Sequence, residues 1–272
     1  MRWTLEDIRW AEFDPSKVDA DLLRVIKTAA LVEANSADYV TYLKNVFPGD
    51  TAFAAAAEQW GIEEAQHGAA LGRWAEIADP DFSFDQSLRL FREGYSLPLD
   101  ATESVRGSQA GELVARCVVE CGTSSFYTAI RDGTEEPVLK QIAHRIAADE
   151  FAHYQLFHKF IDERGGESLG RLARLKVAIT RVQEAEDDEL AYAYYAANIK
   201  PKDKDAVFDG KLYTHLYNGP AFGLYQERHI ENATRMIMRA ANFNPQGRVA
   251  SLAAKAFWKA IQYKRRQWAK AA

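Results

Sequence analysis

The chain has 272 residues, 44 of them Ala against only 16 Gly and 8 Pro, a balance that favours long helices and excludes a many-turned β-sandwich. Its net charge of −5 excludes the broad basic footprint of a bulk nucleic-acid binder, so no nucleic-acid partner is expected. Two cysteines are too few for a rubredoxin-type or four-cysteine zinc module; Cys117 and Cys121, four apart on one helix face, do not suit a disulfide, and reduced thiols in a cytoplasmic protein are expected.

The opening residues carry charges every few positions, where a signal peptide needs an apolar run. Apolar positions then recur at three and four spacing over 19–47, predicting one helix that stops at Pro48-Gly49-Asp50. A second helix is expected over 51–78, capped by Asp50 or Thr51 and closed before Pro80. Residues 80–102, with Pro80, Gly94 and Pro98, read as a connection holding one short helix. The pattern resumes over 103–131 and ends at Asp132-Gly133. Thr134 is the expected cap of the next helix, with Pro137 in its first turn and Gly165-Gly166 at its end. Further helices are expected near 168–198, across 219–242 and from 247 to 270, with a turn at Lys200-Pro201-Lys202-Asp203. Charges break every apolar stretch well before the ~18 residues of a membrane span, so no transmembrane segment is expected.

Two of these helices carry Glu-x-x-His: Glu64-Ala65-Gln66-His67 and Glu150-Phe151-Ala152-His153. Residues three apart share a helix face, so each pair offers a carboxylate and an imidazole to one point. Glu33 and Glu120 lie on the preceding helices, with the turns at 48–50 and 132–135 nearly midway to Glu64 and Glu150. In an antiparallel hairpin, residues equidistant from the turn face each other at one height. Two hairpins therefore supply four Glu and two His: Glu33, Glu64, His67, Glu120, Glu150 and His153. Glu33 and Glu120 sit in apolar runs, where unpaired carboxylates would cost several kcal/mol each. Asp149 and Glu63 each precede a motif glutamate, placed to accept the free N–H of the other hairpin's histidine.

A Glu from each of two helices and Glu-x-x-His from two others is the donor set of the ferritin-like dimetal carboxylate proteins, which this chain resembles. The resemblance implies an all-α fold: a ferritin-like four-helix bundle of two antiparallel hairpins joined by a long crossover, with additional C-terminal helices. It implies one domain over 1–272, with a metal-binding core over 19–165 and the helices of 166–272 packed on it. It also implies two iron ions, with Mn/Fe as a second pairing suited to carboxylate ligands. A chain this long, with so few cysteines, does not read as a storage ferritin or a rubrerythrin. Glu33 and Leu71 stand where the ribonucleotide reductase radical subunit carries Asp and Tyr.

The wording around the motifs is more similar to the soluble acyl-carrier-protein desaturases. Glu63-Glu64-Ala65-Gln66-His67-Gly68 resembles that family's Glu-Glu-Asn-Arg-His-Gly, with Gln66 in place of the Arg. Glu136-Pro137-Val138-Leu139 and the run from Arg145 to His153 resemble its fourth helix. Thr123, one turn after Glu120, matches the family's threonine beside the O₂ pocket and is the catalytic candidate. The resemblance covers 20–165; the ligand spacing is also close to that of the aldehyde-deformylating oxygenases. It implies O₂-dependent C–H oxidation of an aliphatic or acyl chain in fatty-acid metabolism, an external electron donor such as ferredoxin, acyl carrier protein as a partner, and a homodimer. Hydroxylation or deformylation of another small molecule, and a non-catalytic iron-binding or ferroxidase protein, are the alternatives. Lys255, Lys259, Lys264, Arg265, Arg266 and Lys270, with Trp258 and Trp268, form the densest basic stretch; Arg171, Arg174, Lys176 and Arg181 form another. Small residues beside the ligands (Ala30, Ala37, Gly68, Gly122) leave room for a slender substrate or for close helix packing. Tyr192, Tyr194 and Tyr195 read as packing.

Overall fold

A computed structural model describes residues 2–163, 169–184 and 188–271; the expected helix end at Gly165-Gly166 and the Lys270 side chain lie outside the described residues. Helix is the only regular secondary structure among the described residues, with no strand. Three short 3₁₀ turns (Leu5–Asp7, Trp10–Glu12, Pro15–Lys17) precede α1 (Ala20–Ala34), α2 (Ser36–Val46) and α3 (Thr51–Ala78). A short α4 (Phe84–Gly94) leads to α5 (Gln109–Gly133) and α6 (Pro137–Glu163). The chain continues through α7 (Arg171–Gln183), α8 (Asp188–Asn198), α9 (Gly210–Gly223), α10 (Glu227–Ala240) and α11 (Arg248–Ala271).

The expected helix over 19–47 is two helices. Asn35 leaves helical geometry at ψ 12°, and its N–H turns back to the Val32 carbonyl. The freed Ala34 carbonyl accepts a bond from Arg92 at 2.8 Å, and the Ser36 hydroxyl donates to the Gly61 carbonyl at 2.8 Å. These partners satisfy groups that a break would otherwise leave orphaned. The expected 168–198 helix is likewise α7 and α8. The expected 219–242 helix is divided: its first residues end α9, which begins at Gly210 where no helix was expected and holds Pro220 in its last turn, and the rest is α10. Thr134 is not the main cap of α6: the fully buried Glu136 carboxylate accepts the N–H groups of Asp14, Val138 and Leu139 and the Trp74 indole N–H, so four donors offset its desolvation.

Side-chain partners fix the helix directions. Gly68 lies against Ala30 and Ala34 while Ser36 meets Gly61, so α3 runs antiparallel to α1–α2. A Cβ at Gly68 would sit 2.7 Å from the Ala34 nitrogen, so this glycine permits the close approach. Ser124 bonds the Ala147 carbonyl and Cys117 approaches that of Tyr154, so α5 and α6 are antiparallel. His67 meets Asp149 while His153 meets Glu63, so α3 and α6 are antiparallel, and α3 and α5 parallel.

Two apolar clusters flank the middle of this four-helix arrangement. Leu71, Trp74, Tyr127 and Ile142 pack on one side, with Tyr194 and Tyr195 as core members, in keeping with their reading as packing residues. Phe53, Trp60, Cys117 and Phe157 pack on the other. Each large side chain buried this way contributes roughly 1.5–3 kcal/mol and keeps bulk water from the polar groups between. No described helix is long and apolar enough to cross a membrane.

Candidate metal centre

Between the apolar clusters lie all six residues singled out by spacing. α1 supplies Glu33, α3 supplies Glu64 and His67, α5 supplies Glu120, and α6 supplies Glu150 and His153; all are buried. They form two overlapping groups, Glu33-Glu64-His67-Glu150 and Glu64-Glu120-Glu150-His153, each with donor atoms within 4.8 Å of one another. Glu64 and Glu150 belong to both. One is the Glu of each Glu-x-x-His pair, so the two helices that carry histidines also carry the shared carboxylates.

Each imidazole has its outer nitrogen occupied and its inner nitrogen aimed at the carboxylates. His67 Nε2 lies 3.1 Å from Asp149 Oδ2, and His153 Nε2 lies 2.9 Å from Glu63 Oε2. Because an ionised carboxylate only accepts, each Nε2 carries a proton, and Nδ1 is left as the nitrogen that would present its lone pair to a metal. His67 Nδ1 is 3.0 Å from Glu150 Oε1, and His153 Nδ1 is 3.1 Å from Glu64 Oε1. None of these inner atoms is aligned in a hydrogen bond: both Nδ1 atoms, Glu120 Oε1 and Glu150 Oε1 are buried without one. Nitrogen and oxygen atoms converging on one buried space, unaligned for hydrogen bonds to one another, fit a bound cation.

The electrostatics agree. Burial pushes the Glu33 carboxyl well above the usual carboxylate range, and the charges of Glu64 and Glu150 push it further. Burial likewise takes Glu120 up to about 8, with the charges of Glu150 and Glu64 adding to it and the nearby His153 imidazole opposing. Both histidines are held well above the ordinary imidazole range: burial opposes their charge, but the surrounding carboxylates outweigh it. Glu63 is drawn down to about 2, chiefly by its bond with His153. Four carboxylates in one buried space keep their charges only against nearby cations. An oxygen-rich set with two imidazoles suits divalent mid-series metals.

Thr123 lines the cavity beside the cluster. Its hydroxyl donates to Glu150 Oε2 at 2.5 Å, closer than to the Val119 and Glu120 carbonyls. Three partners escaped the sequence reading. The Tyr127 hydroxyl donates to Glu33 Oε1; its spacing of four from Thr123 and seven from Glu120 puts it on the same face of α5 and was the available signal. Trp3 Nε1 and Arg2 Nη1 donate to Asp149 at 2.6 and 3.0 Å, and the Trp3 ring stacks on His67 at 6.1 Å. No periodicity marks these N-terminal residues.

A cavity of about 300 Å³ opens onto the cluster, touching Glu33, Glu64, Glu120, Glu150 and Thr123. Its walls are largely apolar, and α9, α10 and α11 close it with Tyr217, Ile230, Ile237, Phe257 and Ile261. Gly122 faces open space: a Cβ there would meet nothing within 4 Å. Gly68 serves close packing instead, and Ala37 is exposed. The second basic group does not gather on the surface, because Arg174 is buried against the Leu169 carbonyl and Arg181 lines the cavity. In the C-terminal stretch Lys255, Lys259, Lys264 and Arg266 are exposed, whereas Trp258, Arg265 and Trp268 are half-buried. Neither the scan of protein-family models nor the search of curated proteins gives a match for this chain.

Proposed function

We propose that the chain is an O₂-dependent dimetal oxidoreductase of ferritin-like architecture acting on an aliphatic or acyl-chain substrate. The observation that carries this reading is the pair of four-residue groups sharing Glu64 and Glu150 and opening onto an apolar cavity. Glu33 and His67 would hold one iron ion, Glu120 and His153 the other, with Glu64 and Glu150 spanning both; a Mn/Fe pair suits the same donors. Bound iron supplies the capacity to activate O₂ and oxidise an unactivated C–H bond.

The chain's own part is preorganisation. Asp149 and Glu63 hold the imidazole protons on the outer nitrogens, leaving both Nδ1 lone pairs for metal. Tyr127 and Thr123 fix one oxygen of Glu33 and one of Glu150. The apolar walls position a slender substrate and exclude water. No flavin or iron–sulfur motif is evident in the sequence, so electrons come from a separate donor such as ferredoxin. Acyl carrier protein, a homodimer and a cytoplasmic location belong to the same reading through the desaturase resemblance.

Anaerobic loading with Fe(II) is expected to reach about two ions per chain. Exposure to O₂ should then give oxidation that accelerates when an acyl substrate is present, and the product distinguishes desaturation from hydroxylation or deformylation. Gly122→Leu should fill the cavity, preserve the metal count and abolish that acceleration. Iron oxidation indifferent to both substrate and Gly122→Leu would replace this reading with a ferroxidase.

A further inference from the structure

One end of the cavity holds two buried donors without hydrogen-bond partners. Arg116 lies four residues before Glu120 on α5, and Trp60 four before Glu64 on α3. Because these helices are parallel, both residues sit at one height, about 6 Å along the axis from the carboxylate cluster. Both line the cavity and both are more than nine-tenths buried, at 7% and 4% exposure. Trp60 Nε1 and Arg116 Nε are buried without a hydrogen-bond partner. Among the described residues the Arg116 guanidinium donates no hydrogen bond at all; Glu112 Oε1 stands 3.7 Å from its Nε, unaligned, and the Tyr39 ring lies 5.0 Å from its centre. The neighbouring acids are bonded elsewhere through one oxygen each, Glu112 Oε2 accepting from Tyr42 and Ser104 and Glu189 Oε2 from Tyr39; Glu189 Oε1, like the two donors, is buried without an aligned hydrogen bond. A buried guanidinium carries five N–H groups, and leaving them unmatched is costly.

We infer that this end of the cavity receives the carboxylate of a free, medium-length aliphatic acid, with Arg116 and Trp60 as its donors and the chain lying along α5 past Glu120 and Thr123. The inference rests on the cavity being the substrate chamber of the function proposed above, and it narrows the substrate from any acyl chain to an unesterified acid, in place of a chain carried by acyl carrier protein. The planar fork of arginine matches a carboxylate bidentately, and the indole supplies one further donor. A volume of about 300 Å³ is at the small end of ligand pockets, in keeping with a medium-length chain and with an eight-carbon acid as the probe. With the head at Arg116, mid-chain carbons rather than the carboxyl carbon lie beside the cluster. Glu112 already offsets part of the guanidinium charge, so the preference for a carboxylate over an uncharged amide should be about tenfold, near the lower edge for charge-assisted bonds.

Calorimetric titration of the purified protein with octanoate and with octanamide tests this without turnover. Octanoate should bind about tenfold more tightly than octanamide. Arg116→Gln should erase that preference while keeping the amide's affinity, and Arg116→Lys should retain part of it. Trp60→Phe should weaken both ligands a few-fold, and Gly122→Leu should exclude both. Thermal unfolding and metal content of each variant, read in parallel, identify any that fail to fold; Arg116→Lys and Gly122→Leu change the packing least. Absence of octanoate binding, equal affinity for the two ligands, a preference that survives Arg116→Gln, or octanoate binding that survives Gly122→Leu would each overturn the inference. Tight, Arg116-dependent octanoate binding with no O₂-dependent product would support it while removing the oxidoreductase reading.

Discussion

His67 and His153 hold equivalent places, each three residues after a shared glutamate, yet the chain secures them by different means. The carboxylate behind His67 is Asp149, gripped by Trp3 and Arg2 from the N-terminal segment, and the same Trp3 covers the imidazole face. Arg145 in turn lies over the Trp3 ring at 5.8 Å. The carboxylate behind His153 is Glu63, which accepts from Gln59 one turn earlier on its own helix. One end is thus closed by a remote segment, and the other is supported locally by α3. The difference separates orientation of a histidine by local helix geometry from orientation by tertiary closure, and the two should respond differently to mutation.

The largest effect should come from the feature both ends share. Glu150→Ala removes a carboxylate from both groups and should abolish stable binding of either ion, whereas Glu33→Ala and Glu120→Ala each remove a carboxylate from one group and should leave about one ion per chain in metal analysis after dialysis. Equal metal content in the three variants would show that the positions are not coupled through Glu150. Next in size, Asp149→Ala and Glu63→Ala should lower metal affinity by roughly 10–100-fold, with Asp149 nearer the upper figure because its loss also releases Trp3 and Arg2. Competition with a chelator measures both, and a greater loss for Glu63 would invert the comparison.

Smaller still, Trp3→Ala should cost about 3 kcal/mol of stability in denaturant unfolding, and Trp3→Phe about 1 kcal/mol through the lost bond to Asp149. Both should weaken metal binding at the His67 end alone. The smallest effect, remote from both ends, tests acid lability. Asp132 is partly buried, which opposes its charge, but bonds from His229 and Arg131 outweigh burial and hold it down at about 2. A depressed carboxyl stabilises the fold above its ordinary range and loses that contribution as pH falls from about 4 towards 2. Metal-free Asp132→Asn should therefore lose less stability than the metal-free parent between about pH 5 and about pH 2.5.

The positions of the six clustered residues were legible because helix geometry converts spacing into height: a step of three residues from Glu to His, and a turn midway between the paired glutamates. Asp149 and Glu63 were legible for the same reason. The break at Asn35 was not, because apolar periodicity continues through it and its partners, Arg92 and Gly61, come from other helices. α9 was missed because Pro220 marks a helix start by local rules, and here it falls in a final turn. Arg116 was visible one turn before Glu120, but a charged residue on an amphipathic helix ordinarily reaches water; only packing against Tyr39 shows that it does not. The cavity depends on gaps between α5 and helices a hundred residues further along, which no local pattern records.

The two histidines also exchange partners: His67 of the first hairpin bonds Asp149 of the second, and His153 of the second bonds Glu63 of the first. Each four-residue group likewise draws on both hairpins. Neither half of the bundle contains a complete coordination site, so a bound ion would act as a cross-link between halves, and capturing metal and docking the hairpins would be one cooperative event. Split between α3 and α5 into two polypeptides, the chain should yield fragments that bind metal poorly apart, and metal should be what brings them back together.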